Sequence, residues 1–445
     1  MKTVLQTGAV ALLILAGWAT APASAVPAFG EQTGQPCSAC HIGGFGPHLT
    51  PFGRTFKLEG YTMRAGDAFN APISAMAVAS YVTSSKDQTE PPADHYGVNN
   101  NASLDQISLF LAGGIGDHFG GFFQATYDGV GRAFSWDNLD LRVTDHVTID
   151  GSDVLLGLTL NNAPSVQDTW NTLPAWGYPY TGSDLAPAPA AATIFDGGVA
   201  QSVLGASAYA YWDSSIYAEL GFYWTPSHNF LSAMGTDDGP GAISNAAPYV
   251  RLAYQKDYGD QNFEIGAFGF FPDLHPGDDT STGMVDSYSD LGVDGSYQFM
   301  GDGTNIYTVN FRYTNERQHL AATQMLGGVA NIGNRLDDVR LDASYYWHNE
   351  LGGSVQLFNT WGSADTLLYA DNSTFKPDSS GVTFQLDATP WGDTDISPLG
   401  PRFNVRVGMQ YTLYTRFDGA STNYDGAGRN ASDNDTLRIF LWTAL

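Results

Sequence analysis

Sixteen stretches of the chain alternate apolar with small or polar residues, and this repeat restricts the fold more than any other feature. From Ile216 to Trp224, for example, every even position is apolar and the odd positions are small, polar or tyrosine. A period of two places successive side chains on opposite faces of a β-strand. The strands are predicted at 73–83, 103–116, 119–129, 137–146, 148–161, 198–212, 215–225, 247–257, 260–271, 286–299, 304–318, 335–348, 352–364, 381–392, 401–418 and 433–445. A soluble β-sandwich would give the same alternation, so the lengths of the connections between strands are needed to distinguish a sandwich from a barrel.

The connections alternate in length. Short turns at 117–118, 213–214, 258–260, 301–303 and 350–351 are separated by long loops that are acidic or rich in Gly and Pro. Short periplasmic turns and long outer loops are typical of bacterial outer-membrane β-barrels, and so are 51 glycines, 13% aromatic residues and a low charge density. We therefore expect an all-β, porin-like antiparallel barrel of about sixteen strands over residues 71–445, surrounded by outer-membrane lipid.

The first 25 residues resemble a secretory signal peptide. Lys2 supplies the positive charge, residues 9–16 an apolar run and Ala23-Ser24-Ala25 a small-residue cleavage site. A membrane anchor is the alternative, but the apolar run is short for a bilayer. We expect the mature chain to begin at Val26, outside the cytoplasm. The net charge of −27 argues against nucleic acid as a partner.

Residues 26–70 contain the motif Cys37-Ser38-Ala39-Cys40-His41, and the chain has no other cysteine. C-x-x-C-H predicts one covalently attached haem c, with Cys37 and Cys40 bonded to the macrocycle and His41 as the proximal ligand of the iron. A structural disulfide, half of a zinc site and a thioredoxin-like redox pair are the alternatives. The segment is too small to build its own core, so we expect a mainly irregular and helical plug inside or against the barrel.

Two runs flank the motif, Gln32-Thr33-Gly34 before it and Pro51-Phe52-Gly53-Arg54 through Gly60-Tyr61-Thr62 after it. Together with the signal, the single haem motif and the barrel, they resemble the fused cytochrome–porin family, whose best-known members are outer-membrane iron-oxidising cytochromes. The resemblance implies a haem in or at the mouth of the barrel, on its periplasmic side or in its lumen. It implies electron transfer from an extracellular donor, Fe(II) in the iron oxidisers, to a periplasmic cytochrome.

The second axial ligand of the iron is left open by the sequence. Met63 follows a predicted helix over 52–60, and His48 lies seven residues after His41; Met76, on the first predicted strand, is a weaker candidate. Arg54 and Lys57 are suited either to haem propionates or to salt bridges with the barrel wall.

Two further questions concern the lumen. Loop 162–197 is either folded into it or a surface tip, and its aromatic residues favour the lumen. The alternative function is a diffusion porin in which the N-terminal segment is a gating or structural plug. A sensor of a diatomic ligand, with an open sixth position on the iron, is a third possibility.

Overall fold

Sixteen long strands form one closed antiparallel barrel in the computed structural model, which describes residues 27–66, 72–236, 239–392 and 403–445. The signal sequence and the boundary at 70/71 lie outside these residues. The barrel strands are β1 (Ile73–Ser84), β2 (Asn101–Ile115), β3 (Phe119–Asp128), β4 (Ala133–Ile149), β5 (Ser152–Asn161), β6 (Leu204–Trp212), β7 (Ile216–Trp224), β9 (Ala247–Tyr258), β10 (Gln261–Phe270), β12 (Asp286–Phe299), β13 (Asn305–Leu320), β14 (Gly333–Trp347), β15 (Leu351–Gly362), β16 (Ser379–Ala388), β17 (Asn404–Arg416) and β18 (Thr436–Ala444).

Each barrel strand pairs with the next along the chain, and β1 pairs with β18 to close the sheet, with Met76 opposite Ala444. The prediction of sixteen antiparallel strands is therefore confirmed. Two short strands, β8 (Gly241–Ile243) and β11 (Asp273–Pro276), pair with each other, and the sequence pattern did not indicate them.

Some predicted boundaries were wrong. Strand β4 begins before residue 137 because its pairing with β3 continues through a bulge between Phe123 and Ala125. It continues past residue 146 because it pairs with β5 as far as Ile149 opposite Ser152. The predicted strand 198–212 begins only at Leu204, since the residues before it belong to a loop that contains the helical turn Ile194–Gly198.

The outward faces of the strands carry large exposed apolar side chains all around the barrel. They include Leu109, Leu111, Leu156, Leu158, Ile216, Leu220, Phe222, Leu252, Phe263, Ile265, Leu291, Val293, Val309, Phe311, Leu341, Leu357, Phe384, Leu386, Ile439 and Leu441. Between them, the alternate residues of each strand are buried in the interior. A closed barrel with a continuous apolar exterior matches a lipid environment, so the chain is an outer-membrane β-barrel.

The described helices are short: Pro27–Thr33, Cys37–Cys40, Pro51–Leu58, His228–Ala233 and Ala321–Met325. Among the described residues, every helix is too short or too polar to cross a membrane.

The two ends of the barrel differ. At one end, here called the turn end, tight turns join β2 to β3, β4 to β5, β6 to β7, β9 to β10 and β14 to β15. The opposite end, here called the loop end, carries connections that are mostly long, although the one between β3 and β4 spans only residues 129–132. The third of these connections, residues 162–203, was predicted from its aromatic content to fold into the lumen. It does so: residues 161–173 are all buried.

Two acidic residues on the inward strand faces, Glu219 and Asp338, are buried and paired. Glu219 accepts hydrogen bonds from Ser207 and from the Tyr217 hydroxyl. Asp338 forms ion pairs with Arg312 and Arg340. These two inward carboxylates are therefore held by hydrogen bonds and ion pairs within the barrel interior.

Candidate functional site

The N-terminal segment, residues 27–66, lies in the lumen at the turn end. The Ala28 amide donates to Ser74 Oγ of β1 across 2.9 Å, and the Gly43 amide donates to Asn349 Oδ1 across 2.8 Å. On the far wall, the Tyr61 hydroxyl donates to Asp140 Oδ2 of β4 across 2.7 Å. These contacts anchor the segment to opposite sides of the barrel.

One helix of this segment packs directly on the C-x-x-C-H motif. It spans Pro51–Leu58, and Thr50 is its N-cap, accepting from the Gly53 amide at 3.1 Å. Thr50 also donates through its amide to the Cys40 carbonyl and through its hydroxyl to the Ala39 carbonyl. Proline at the first position and a hydroxyl cap are a standard helix start, so the sequence itself fixes the helix against the motif.

The motif forms a single helical turn, Cys37–Cys40, followed by His41 in an extended conformation. The two cysteines are not joined by a disulfide. Burial, and then the neighbouring Cys37, raise the pKa of the Cys40 thiol to about 12. His41 Nδ1 is buried without a hydrogen-bond partner, and burial followed by the charge of Arg406 lowers the pKa of His41 to about 4.

A tight hairpin follows the motif. His41 pairs with Leu49, and the Ile42 amide donates to the His48 carbonyl at 2.9 Å. His48 is 1% exposed, neither of its ring nitrogens has a hydrogen-bond partner, and its ring centroid lies 5.4 Å from that of Tyr180. Burial, then the charges of Arg54, Arg406 and His41, lower the pKa of His48 to about 3.

A cavity of about 330 Å³, here called the motif cavity, lies between the segment, the third outer loop and the wall near β1 to β4. Cys40 and His41 line it from the segment side, and Met76 lines it from β1. Its walls are largely aromatic: Phe29, Phe45, Phe56, Tyr61, Phe110, Phe122, Trp176, Tyr180 and Trp442. The volume lies within the range of roughly 300–1,000 Å³ that is usual for cofactor sites.

The residues of this cavity fit a haem c. Cys40 and the adjacent buried His41 face a space with apolar, aromatic walls, and Cys37 lies one helical turn before His41. Burial of such a flat apolar macrocycle calls for walls of this kind. Neither His48 nor Met63 lines the motif cavity, and Met63 packs instead against a cluster of Phe56, Tyr61, Ala112 and Phe122.

The two early basic residues have different surroundings. Arg54 is fully buried and donates to Asn262 on the barrel wall, and burial lowers its pKa to about 10. Lys57 lines the motif cavity, and its Nζ donates to the carbonyls of Val166 and Asp168 at 2.6 and 2.7 Å. Burial lowers the pKa of Lys57 to about 7. Arg54 is therefore a wall contact, whereas Lys57 holds the third outer loop beside the cavity.

A second cavity of about 250 Å³ adjoins the first and is polar. Pro174, Gly177 and Pro179 of the third outer loop line both cavities, so this stretch stands between them. No sequence pattern indicates this partition, because it depends on how the loop folds back. Within the described ranges, no group of three or more His, Cys, Asp or Glu side chains is placed to hold a metal ion.

Comparison with known proteins yields structural similarity only. No protein-family profile matches the chain, and no curated sequence matches it. The outer-membrane channel DcaP of Acinetobacter baumannii is 11% identical, with a TM-score of 0.47 over 87% of this chain and 99% of its own. OprB of Pseudomonas putida is 11% identical, with a TM-score of 0.47 over 84% and 93%. OmpT of Vibrio cholerae is 10% identical, with a TM-score of 0.44 over 85% and 98%. Identities and scores this low transfer no function to the chain.

Proposed function

We propose that this barrel is an outer-membrane electron-transfer protein that carries one covalent haem c in the motif cavity. An extracellular donor, Fe(II) being the first candidate, would lose one electron, and a periplasmic cytochrome would gain it. The observation that carries the proposal is the placement of Cys40 and His41 of the C-x-x-C-H motif on an aromatic cavity inside the lumen.

Each motif residue has a defined task in this proposal. Cys37 and Cys40 would hold the haem through thioethers, and His41 would bind its iron. When bound, the haem supplies a one-electron Fe(III)/Fe(II) couple. The helix Pro51–Leu58 fixes the motif through Thr50, and the aromatic walls would surround the haem with apolar surface.

The filling of the lumen supports electron transfer over solute passage. The N-terminal segment lies at the turn end, and the buried stretch 161–173 of the third outer loop occupies the interior beside it. Lys57 joins the two through the carbonyls of Val166 and Asp168. A hydrated solute would need an open path through this packing.

The test uses purified full-length protein in liposomes. Ferrous iron is added outside, with an electron acceptor and, in a parallel sample, a ferrous chelator trapped inside. We expect covalent haem in the wild type, reduction of the trapped acceptor, and little iron reaching the chelator. Cys37→Ala with Cys40→Ala should abolish both haem and acceptor reduction, whereas the matched control Ser38→Ala in the same turn should retain them. Unchanged acceptor reduction in the double variant would refute the proposal.

A diffusion porin plugged by the N-terminal segment is the second candidate, and the polar second cavity beside the third outer loop favours it. In that case iron would reach the trapped chelator in the liposome experiment. Single-channel conductance would rise when residues 26–70 are deleted and would not change with haem redox state. In the electron-transfer case, the full-length chain conducts poorly in both redox states.

A further inference from the structure

The hairpin after the motif sorts the candidate iron ligands by face. Residues directly opposite each other in an antiparallel pair share a face, and successive residues point to opposite faces. His41 is opposite Leu49, and both line the motif cavity. Ile42 packs on the other side, against Ile306 and Tyr346.

His48 belongs to that second face. Its carbonyl accepts from the Ile42 amide, and its side chain does not line the motif cavity. A ligand for the open side of the iron has to face the cavity that His41 faces. The hairpin therefore places His48 outside the lining of the cavity that His41 faces, with its ring against Tyr180.

Met63 also lies outside the motif cavity, but for a different reason. Its backbone carbonyl is held by Gln32 Nε2 at 2.9 Å, and its side chain packs against the Phe56 and Tyr61 cluster behind the cavity wall. The side chain does not reach the cavity surface.

Met76, unlike His48 and Met63, borders the motif cavity. It is an inward residue of β1, where the alternate residues Ser74 and Val78 are buried, and it lines the motif cavity with Cys40 and His41. It also packs in one apolar cluster with Cys37 and Phe45. Its thioether thus borders the cavity from the wall while the motif borders it from the segment.

Other possible ligands on the cavity surface are already engaged. Lys57 donates to two loop carbonyls, and the Tyr61 hydroxyl donates to Asp140. Asp137 accepts from Gln124 and Thr126 at 2.7 and 2.8 Å. The Tyr180 ring packs against His48 and Tyr178, with ring centroids 5.4 and 5.5 Å away. The Met76 thioether, in contrast, would not have to break a hydrogen bond in order to bind iron.

We infer that Met76 of the barrel wall is the second axial ligand of the haem that the C-x-x-C-H motif holds. The inference rests on the proposed function. The thioether raises the reduction potential relative to a second histidine, and the iron is bound at once by the N-terminal segment and by the first strand of the barrel.

The test compares Met76→Leu with Met63→Leu in the full-length purified holoprotein. Leucine keeps the side-chain volume nearly constant in both variants. The readouts are the near-infrared sulfur-to-iron charge-transfer band of the ferric protein, the midpoint potential, and carbon monoxide binding by the ferrous protein. We expect Met76→Leu to lose the band, lower the potential and bind carbon monoxide, and Met63→Leu to retain wild-type behaviour.

A second variant keeps the inference testable if Met76→Leu does not fold. Met76→His supplies another ligand at the same place, and we expect a bis-histidine spectrum with a lower potential. The inference is overturned if Met76→Leu keeps the charge-transfer band, if only Met63→Leu loses it, or if wild-type protein already shows bis-histidine ligation that His48→Phe removes. Wild-type protein without covalent haem instead overturns the proposed function itself.

Discussion

Arg406 of strand β17 and Gly43 of the N-terminal segment meet inside the barrel, where the Arg406 Nη2 donates to the Gly43 carbonyl across 2.6 Å. The same nitrogen donates to the Phe45 carbonyl at 2.6 Å, and the guanidinium lies 5.7 Å from the Trp442 ring centroid. Asp387, also fully buried, is the carboxylate partner at 3.5 Å. One arginine therefore holds the turn after the motif against the barrel wall.

Arg406→Leu should destabilise the protein strongly. It leaves the Asp387 carboxylate buried without its cation, and removing one member of a buried pair typically costs about 3–5 kcal/mol. The free energy of unfolding in urea, measured in detergent micelles, checks this value. The matched control is Arg416→Leu, whose ion pair with Asp378 is half exposed and is worth at most about 1 kcal/mol. Equal losses of unfolding free energy in the two variants would contradict the conclusion that Arg406 belongs to a buried ion pair.

The buried Lys57 should make stability depend on pH. Its pKa is lowered to about 7 in the folded protein, chiefly by burial, from an ordinary value near 10.5. Between these values the unfolded chain binds more protons than the folded one, so stability rises with pH across this window and is lower below pH 7. The gain approaches about 1.4 kcal/mol per pH unit.

The measurement is the free energy of unfolding between pH 6 and 11 for three proteins: wild type, Lys57→Met and Lys256→Met. The difference between them isolates the lysine concerned, because the other groups titrate equally in all three. The difference between wild type and Lys57→Met should move in favour of wild type as the pH rises from about 7 to 10.5. Lys256 is exposed, and its variant should follow the wild-type curve. A difference that is constant with pH would show that Lys57 is not buried in its charged state.

Gly53→Ala should separate the helix Pro51–Leu58 from the motif. A Cβ at Gly53 would lie 2.3 Å from the Cys40 carbonyl oxygen, which is backbone and cannot rotate away. Overpacking of this kind costs about 1–3 kcal/mol, and here it displaces Cys40, which carries one of the two thiols and directly precedes His41. We expect a lower melting temperature and a lower ratio of covalent haem to protein. Gly66→Ala, whose Cβ has no atom within 4 Å, should match wild type in both.

The barrel could be predicted from the sequence because each strand carries its own signal. An outward residue such as Leu220 meets lipid and an inward one such as Glu219 meets the interior, whichever strands are its neighbours. The sequence also indicated the lumenal third loop and the helix that ends before Gly60, which takes a positive φ of 67°. These features depend on residues close together in the chain.

The geometry around the motif could not be predicted in the same way. His48 is seven residues from His41, yet the register of their hairpin places it on the opposite face. Met76 was the weaker candidate because it belongs to a strand, and only the position of the segment inside the barrel brings that strand to the cavity. The burial of Asp338 likewise depends on Arg312 and Arg340 from two neighbouring strands.

The seam between β1 and β18 lies beside the motif cavity. Ala28 bonds to Ser74 on one side of this seam, and Phe45 packs against Trp442 on the other, with ring centroids 5.1 Å apart. The last strand of the chain forms one wall of the motif cavity. A macrocycle joined to Cys37 and Cys40 would have to be attached while the chain is still in the periplasm, before its two ends pair. Cytochrome maturation would then precede membrane insertion, and the barrel would close around a finished redox centre.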